Sequence, residues 1–443
     1  MAVDVSGSVG SPSRGKVVAW ALWDWGSAAF NAVIVTFVFT VYLTDAVAAD
    51  EESGSRALGL ALAVAGVFIA LLAPVTGQRS DAGGRRRLWL GVHTGLVVAC
   101  TAGLFFVRDD PSYLLPGLVL IAAGSVFFEI AEVNYNAMLV QVSTRATIGR
   151  VSGFGWGMGY FGGLVALTIV LFAFVQPDVG LFGVTSEDGL NIRVVALFAA
   201  LWFALFALPV LLLVPEAPPS GESARGSFLS GYVVLARRLR DMWRTDRRTL
   251  LFLVASAVYR DGLAAIFTFG GVVAAGTFGF SATEVVIFAI AANLTAGTGA
   301  VLGGRLDDRF GPKRVIVAAL AGLILVGGAL VVLPGKAAFW ACGLLLATFV
   351  GPAQSSSRTF LARIVAPERE GEAFGLYATT GRAVSFLGPL AFSGFIAVFG
   401  TQRAGMAGIA LVLLAGLAAV LPIRPPGSEE GEQQDEAEEK SHP

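Results

Sequence analysis

The chain is poor in charged residues, cysteine and histidine for its 443 residues. Only 14% of the residues are charged, whereas a soluble globular domain has nearer a quarter. The two cysteines, Cys100 and Cys342, lie far apart and match no zinc or disulfide spacing. There is no P-loop lysine, no His-Glu-x-x-His, and no excess of basic charge for binding nucleic acid. We therefore expect no metal, no cofactor, no nucleic-acid partner and no enzyme activity.

Hydrophobic residues make up 55% of the chain and form runs of about twenty residues, the length that a bilayer core requires. Runs of this length predict helices rather than the short alternating strands of a membrane barrel. The sequence thus predicts an all-α integral membrane protein with twelve spans, at 17–43, 56–76, 88–107, 113–140, 149–175, 192–214, 249–276, 282–303, 315–333, 337–361, 371–399 and 402–422.

Basic residues are distributed unequally between the two sides of the predicted bundle. With the N-terminus inside, the cytoplasmic segments hold 23 of the 31 Lys and Arg residues. The outer segments hold five, which are Arg56, Arg108, Arg193, Lys336 and Arg403. Because basic residues of short loops stay on the cytoplasmic side, we expect a cell-membrane protein with both termini in the cytoplasm.

A proline-rich and then basic linker divides the chain into two sets of six spans. The predicted organisation is a cytoplasmic N-terminal tail (1–16), a six-helix bundle (17–214), a linker with a basic helix (215–248), a second six-helix bundle (249–423) and an acidic, disordered tail (424–443). We expect a monomer in the lipid bilayer.

One loop pattern occurs twice, displaced by 227 residues. The first copy follows the second span and the other follows the eighth, each with Gly, Asp, Gly and two basic residues at one spacing. An aspartate there can hold the basic cluster or a helix N-terminus, and so lock one conformation. The alternative is that the basic residues only set topology. The candidate latch residues are Gly77, Asp81, Gly84, Arg85, Arg86, Gly304, Asp308, Arg309, Gly311, Lys313 and Arg314.

These paired loops resemble the signature of the major facilitator superfamily. Further segments resemble its vacuolar-effluxer-like branch, which is related to fungal autophagy-linked amino-acid effluxers: WDWGSAAF at 23–30, RVSGFGWGMGYFGG at 150–163, YRDG at 259–262, SRTFLARI at 357–364 and FGLYATTGRAVSFLGP at 374–389. The resemblance implies two six-helix bundles related by a pseudo-twofold axis, in a secondary transporter that exports amino acids or similar metabolites. The first loop departs from the family pattern, since Ala82 stands where an arginine usually follows the aspartate.

Seven charged residues lie inside the predicted spans and more than two residues from either end: Asp24, Glu129, Glu132, Asp261, Arg260, Arg358 and Arg382. A charge at such depth costs roughly 2.5–3.5 kcal/mol on insertion scales. Such residues usually face the bundle interior. The four carboxylates outnumber the guanidiniums of Arg260, Arg358 and Arg382, and Arg358 is close enough to a span end to snorkel. A carboxylate without a permanent partner could bind a proton on one side of the membrane and release it on the other, which suits proton coupling. The alternative is that the charges form structural ion pairs and the surplus acid lies in a wet cavity.

A displacement of 236 residues places Asp24 opposite Arg260 across the pseudo-twofold axis. We predict a central cavity that binds a zwitterionic solute, with Arg260 or Arg382 for its carboxylate and Asp24 or Glu129 for its amine. A structural Asp24–Arg260 pair is the alternative. The candidate binding or coupling residues are Asp24, Glu129, Glu132, Arg260, Asp261, Arg382, Trp25, Asn31, Asn136 and Tyr259. A sugar, polyol or drug carrier, and a non-transporting sensor or scaffold, remain alternative functions.

Overall fold

The computed structural model describes residues 13–216, 228–366 and 369–424. The predicted acidic tail beyond Arg424, most of the predicted N-terminal tail, and residues 217–227 of the predicted linker lie outside this range.

Twelve helices of the described chain are long and apolar enough to cross a bilayer. They confirm the predicted all-α class and the number of spans. Numbered in chain order as spans 1 to 12, they are Arg14–Val47, Arg56–Gly83, Arg86–Phe106, Pro111–Gln141, Ile148–Val175, Glu187–Leu213, Arg247–Phe278, Ile287–Phe310, Pro312–Val332, Lys336–Ile364, Glu370–Phe399 and Gln402–Val420. Spans 1–6 are called the N-terminal half, and spans 7–12 the C-terminal half.

The repeated Gly-Asp-Gly segments are largely helical, which corrects their assignment to loops. Span 2 continues to Gly83 and ends at Gly84, whose φ of 61° lies in the left-handed region that glycine tolerates. Span 8 continues to Phe310 and ends at Gly311, with a φ of 85°, before Pro312 begins span 9. Asp81 and Asp308 therefore lie in the last turns of helices.

The ends of the spans form two faces of the bundle. The basic face contains the Gly84 and Gly311 turns, the start of spans 5 and 11, and both ends of the described chain. The opposite face contains the connections near residues 48–50, 176–186 and 333–335. The linker helix, Phe228–Thr245, lies beside span 2, where the hydroxyl of Tyr232 donates to the carbonyl of Leu71 at 2.8 Å.

The two halves meet most closely where spans 5 and 8, and spans 2 and 11, cross near the basic face. A Cβ added at Gly149 would lie 2.7 Å from the Gly304 carbonyl oxygen. One added at Gly371 would lie 2.7 Å from the Gly77 carbonyl oxygen. Only glycine allows backbones this close, as in other packed membrane helices. The bundle is thus tightly closed at its basic face.

Candidate functional site

A cavity of about 1060 Å³ lies between the two halves. Its inner end contains Asp24 of span 1 and Arg358 of span 10. From there it extends along spans 1 and 5 to Val41 and Val175, near the opposite face. The cavity therefore leads away from the tightly packed basic face, as a half-open transport pathway would.

Asp24 is the acidic residue at the inner end of the cavity. Its carboxylate accepts a hydrogen bond from the hydroxyl of Tyr135 at 2.7 Å and lies 3.7 Å from Nη1 of Arg358. The Asp24 side chain is 18% exposed and that of Arg358 is 4% exposed. A carboxylate and a guanidinium from different halves thus lie side by side at the end of the cavity.

The position of Arg358 near the end of span 10 suggested that its side chain would snorkel to the surface. The side chain is instead buried. Its Nη1 donates to Oδ1 of Asn136 at 2.9 Å, and its Nε and Nη2 donate to the hydroxyl and carbonyl of Ser152 at 3.0 and 2.7 Å. The rings of Trp20 and Trp156 pack against the guanidinium at 5.0 and 5.7 Å. Because all these partners belong to the N-terminal half, Arg358 joins the two halves beneath the cavity.

Glu132 of span 4 also lines the cavity. Within the described part of the chain it makes no hydrogen bond and has no cation within the 4.0 Å of an ion pair. Among the four carboxylates that the sequence places inside the spans, the other three each have a direct partner. Glu132 is therefore the acid that remains available to a proton or a cationic group.

Amide and aromatic side chains complete the wall of the cavity. Asn31 lines it, as predicted, and so do Asn293 of span 8 and Trp156 of span 5. Tyr160 also lines it and donates through its hydroxyl to Oε1 of Gln354, across the two halves, at 2.8 Å. Asn293 and Gln354 were not predicted as site residues, although an amide side chain within a predicted span is a usable signal.

Most of the other predicted site residues lie outside this cavity. Arg260 stacks on the ring of Tyr377 at 3.6 Å and donates to its carbonyl, so the structural Asp24–Arg260 pair, which the sequence left open as an alternative, does not form. Arg382 of span 11 forms an ion pair with Glu129 of span 4.

Three further candidates have structural partners. Asp261 accepts a hydrogen bond of 2.5 Å from the backbone of Gly388, and so caps the second part of span 11, Leu387–Phe399. The hydroxyl of Tyr259 hydrogen-bonds Ser357, and Trp25 stacks on Trp202 at 6.2 Å.

The first predicted latch is buried and joins span 2 to the start of span 11. The Asp81 carboxylate accepts from the backbone N–H groups of Gly371 and Glu372 at 3.1 and 2.9 Å. Arg86 lies between Asp81 and Glu370, each 2.7 Å from its Nη2. The side chains of these three charged residues are at most 5% exposed.

The second predicted latch joins span 8 to the start of span 5 and is more open. The Asp308 carboxylate accepts from the backbone N–H groups of Gly149 and Arg150 at 2.7 and 3.1 Å. Its basic neighbours are Arg150, at 3.4 Å, and Arg363, at 3.5 Å. The remaining predicted basic residues do not contact either aspartate: Arg85, Arg309 and Arg314 are exposed, and Lys313 donates to the Leu421 carbonyl.

Comparisons with known proteins agree with this architecture. A family model described as vacuole effluxer Atg22 like matches residues 55–429. The MFS-type transporter YxiO of Bacillus subtilis (strain 168) is 25% identical over 406 residues, covering 90% of this chain and 92% of that protein. Autophagy-related protein 22 of Cryptococcus neoformans var. neoformans serotype D (strain B-3501A) is 24% identical over 352 residues, covering 71% of this chain and 61% of that protein.

Two solved structures share the fold at low sequence identity. The proton:xylose symporter XylE, bound to 6-bromo-6-deoxy-D-glucose, has a TM-score of 0.71 and 15% identity, covering 92% of this chain and 94% of that chain. The transporter FucP in the outward conformation has a TM-score of 0.67 and 15% identity, covering 92% and 97%. The family match, the transporter relatives and the shared fold lead to one conclusion: the chain is a membrane transporter of the major facilitator superfamily and belongs to the vacuole effluxer Atg22-like family.

Proposed function

We propose that this transporter carries a small zwitterionic solute, an amino acid or a similar metabolite, by alternating access. The observation that carries the proposal is a pair of opposite charges at the inner end of the cavity. The Asp24 carboxylate lies 3.7 Å from Nη1 of Arg358. An α-amino acid presents an ammonium and a carboxylate on one carbon, so it can place the first on Asp24 and the second on Arg358. The rings of Trp156 and Tyr160 add faces that attract an ammonium group.

Glu132 is proposed as the coupling residue. It lines the same cavity, and no basic side chain of the described residues lies within 4.0 Å of it, so it can take up a proton on one side of the membrane and release it on the other. Net flux then follows the combined gradients of solute and proton.

The two aspartate latches are proposed to hold the present conformation. Both tie a helix end of one half to backbone N–H groups at the start of a helix in the other half. Opening at the basic face requires both sets of bonds to break, and packed interfaces of this kind switch between discrete arrangements.

The basic face is proposed to be cytoplasmic and the membrane to be the cell membrane. The 23-to-5 distribution of Lys and Arg supports this orientation. The cavity then faces outward in the structure, with both termini in the cytoplasm.

Counterflow in proteoliposomes tests the solute assignment directly. Liposomes loaded with unlabelled amino acids, a sugar or a hydrophobic amine are diluted into the corresponding labelled compound. We expect amino-acid exchange, and for Asp24→Asn a rise in the apparent Km on the order of ten-fold or more, because the ammonium loses a charged partner. Unchanged Km in Asp24→Asn, or exchange of the sugar or the hydrophobic amine instead, would reject the assignment.

Coupling is tested in the same vesicles with an imposed pH gradient. Glu132→Gln is expected to keep counterflow, which needs no net proton movement, and to lose accumulation driven by the gradient. Glu187→Gln, which changes an exposed carboxylate at the opposite face, is the matched control and should keep both activities. Gradient-driven accumulation by Glu132→Gln at the wild-type level would exclude Glu132 as the coupling residue.

A further inference from the structure

A second cavity, of about 670 Å³, lies at the basic face of the C-terminal half. It is formed by the ends of spans 8, 10 and 12 and by the first turns of span 9. None of its described lining residues belongs to the first cavity, which contains Asp24. Among the described residues, the lining of the second cavity contains three cations, Lys313, Arg314 and Arg363, and no carboxylate. The described residues of this cavity therefore present a site for an anion.

The cationic end retains donors that nothing in the described chain uses. Lys313 donates one hydrogen bond to the Leu421 carbonyl, at 2.7 Å. Because an ammonium group has three N–H donors, two remain for a ligand. Arg363 pairs through Nη2 with Asp307 and Asp308, whereas the exposed Arg314 has no hydrogen-bond or ion-pair partner among the described residues. The site also lies at the N-terminus of span 9, where free backbone N–H groups and the helix dipole favour negative charge.

The same cavity becomes aliphatic along span 9. Val317, Ala318 and Ala321 line it beyond the cations, and Lys313 and Ala321 are separated by about 12 Å along the helix axis. Phe310 and Leu421, at its rim, are 45% and 53% exposed. The cavity thus changes from cationic to apolar in the direction of the bilayer interior. A free phosphate or an acidic peptide would use only its charged end.

We propose that this cavity binds an anionic phospholipid. The phosphate and headgroup lie against Lys313, Arg314 and Arg363, and the start of one acyl chain lies along Val317, Ala318 and Ala321. Basic pockets between helices at the cytoplasmic surface have the chemistry for such headgroups. The proposal concerns the C-terminal half alone and is independent of the transported solute.

Native mass spectrometry of the purified chain tests the proposal. Phosphatidylglycerol and phosphatidylcholine are added in turn, and retained lipid is counted by mass. We expect wild type to retain phosphatidylglycerol in preference, and Lys313→Gln/Arg314→Gln to reduce the retained fraction on the order of ten-fold. Arg240→Gln/Arg244→Gln removes the same charge from exposed positions of the linker helix and should retain the lipid as wild type does.

The aliphatic end is tested separately. Ala321→Phe fills the cavity while leaving every charge in place, and it should also lose the preference for phosphatidylglycerol. If both double variants lost phosphatidylglycerol equally, general attraction by basic residues would explain its retention, and the proposed site would be wrong. Full competition by millimolar inorganic phosphate, or undiminished retention by Ala321→Phe, would overturn the lipid assignment.

Discussion

At the scale of single residues, polar side chains inside the membrane give the cavity its charge and its hydrogen-bonding groups. Asp24, Asn31 and Glu132 were named as candidates, and all three line the cavity. The cost of a buried charge marked the two acids, and Asn31 was named as a polar residue near such charges. Their partners depend on helix rotation and depth, which the sequence does not specify to within one turn. Arg358 lies only a few residues from a span end, yet it faces inward and replaces Arg260 as the partner of Asp24.

Arg358→Lys should weaken the connection between the halves. A lysine keeps the charge but cannot donate hydrogen bonds to Asn136 and Ser152 at the same time, as the planar guanidinium does. The loss of one or two charge-assisted bonds should raise the population open at the basic face on the order of ten-fold. Hydrogen–deuterium exchange of the backbone at 148–157 and 354–364 measures this population.

Arg403→Lys is the matched control, because Arg403 bonds backbone carbonyls at 2.7 and 3.1 Å within one half. It should leave exchange in both segments unchanged. Identical exchange in wild type and Arg358→Lys would show that Arg358 does not join the halves.

At the scale of elements, the number of spans followed from hydrophobic length, whereas their ends did not. The polar residues of the Gly-Asp-Gly segments suggested loops, but the helices continue through them because Asp81 and Asp308 find partners in the other half. Tertiary contacts of this kind override local polarity. Gly149 and Gly371, near the starts of spans 5 and 11, lie at the crossings described here.

Gly371→Ala should hold spans 2 and 11 apart. Its Cβ would lie 2.7 Å from the Gly77 carbonyl oxygen and 2.5 Å from Oδ1 of Asp81, where nothing can yield without displacing the first latch. We expect faster labelling, from the basic side, of a cysteine placed at Gln78 in a Cys100→Ser/Cys342→Ser background.

Gly328→Ala is the control, since a Cβ there meets no atom within 4 Å. Labelling of this variant should match that of the parent. If Gly371→Ala labelled no faster than Gly328→Ala, close backbone contact would not be what closes the basic face.

At the scale of the whole molecule, the repeat predicted a latch in each half, and the structure makes the two unequal. Ala82, which departs from the family pattern, does not prevent the first latch from forming, because Arg86 and Glu370 supply its charges. The second latch depends on Arg150, whose side chain is 59% exposed, and on Arg363. Residues from the other half complete each latch, so comparison of the two loops alone could not rank them.

Asp81→Asn should therefore disturb the closed basic face more than Asp308→Asn does. Removing one partner of a buried pair costs about 3–5 kcal/mol. The pair between Asp308 and Arg150, whose side chain is 59% exposed, contributes about 0–1 kcal/mol. Initial rates of counterflow and the thermal midpoint, measured for both variants in one detergent, test the order. An equal or larger effect of Asp308→Asn would contradict the proposed dominance of the first latch.

The interruption of span 11 at Ser385 and Phe386 affects how the two halves can move apart. The segment before it, Glu370–Val384, contacts the N-terminal half through the first latch and Arg382, whereas the segment after it is fastened to span 7 through Asp261. Release of the first latch would then bend this helix at its interruption instead of turning the whole C-terminal half as one body. Spin labels on the two segments would report a changed mutual angle during turnover, while labels on span 7 and the second segment would keep their separation.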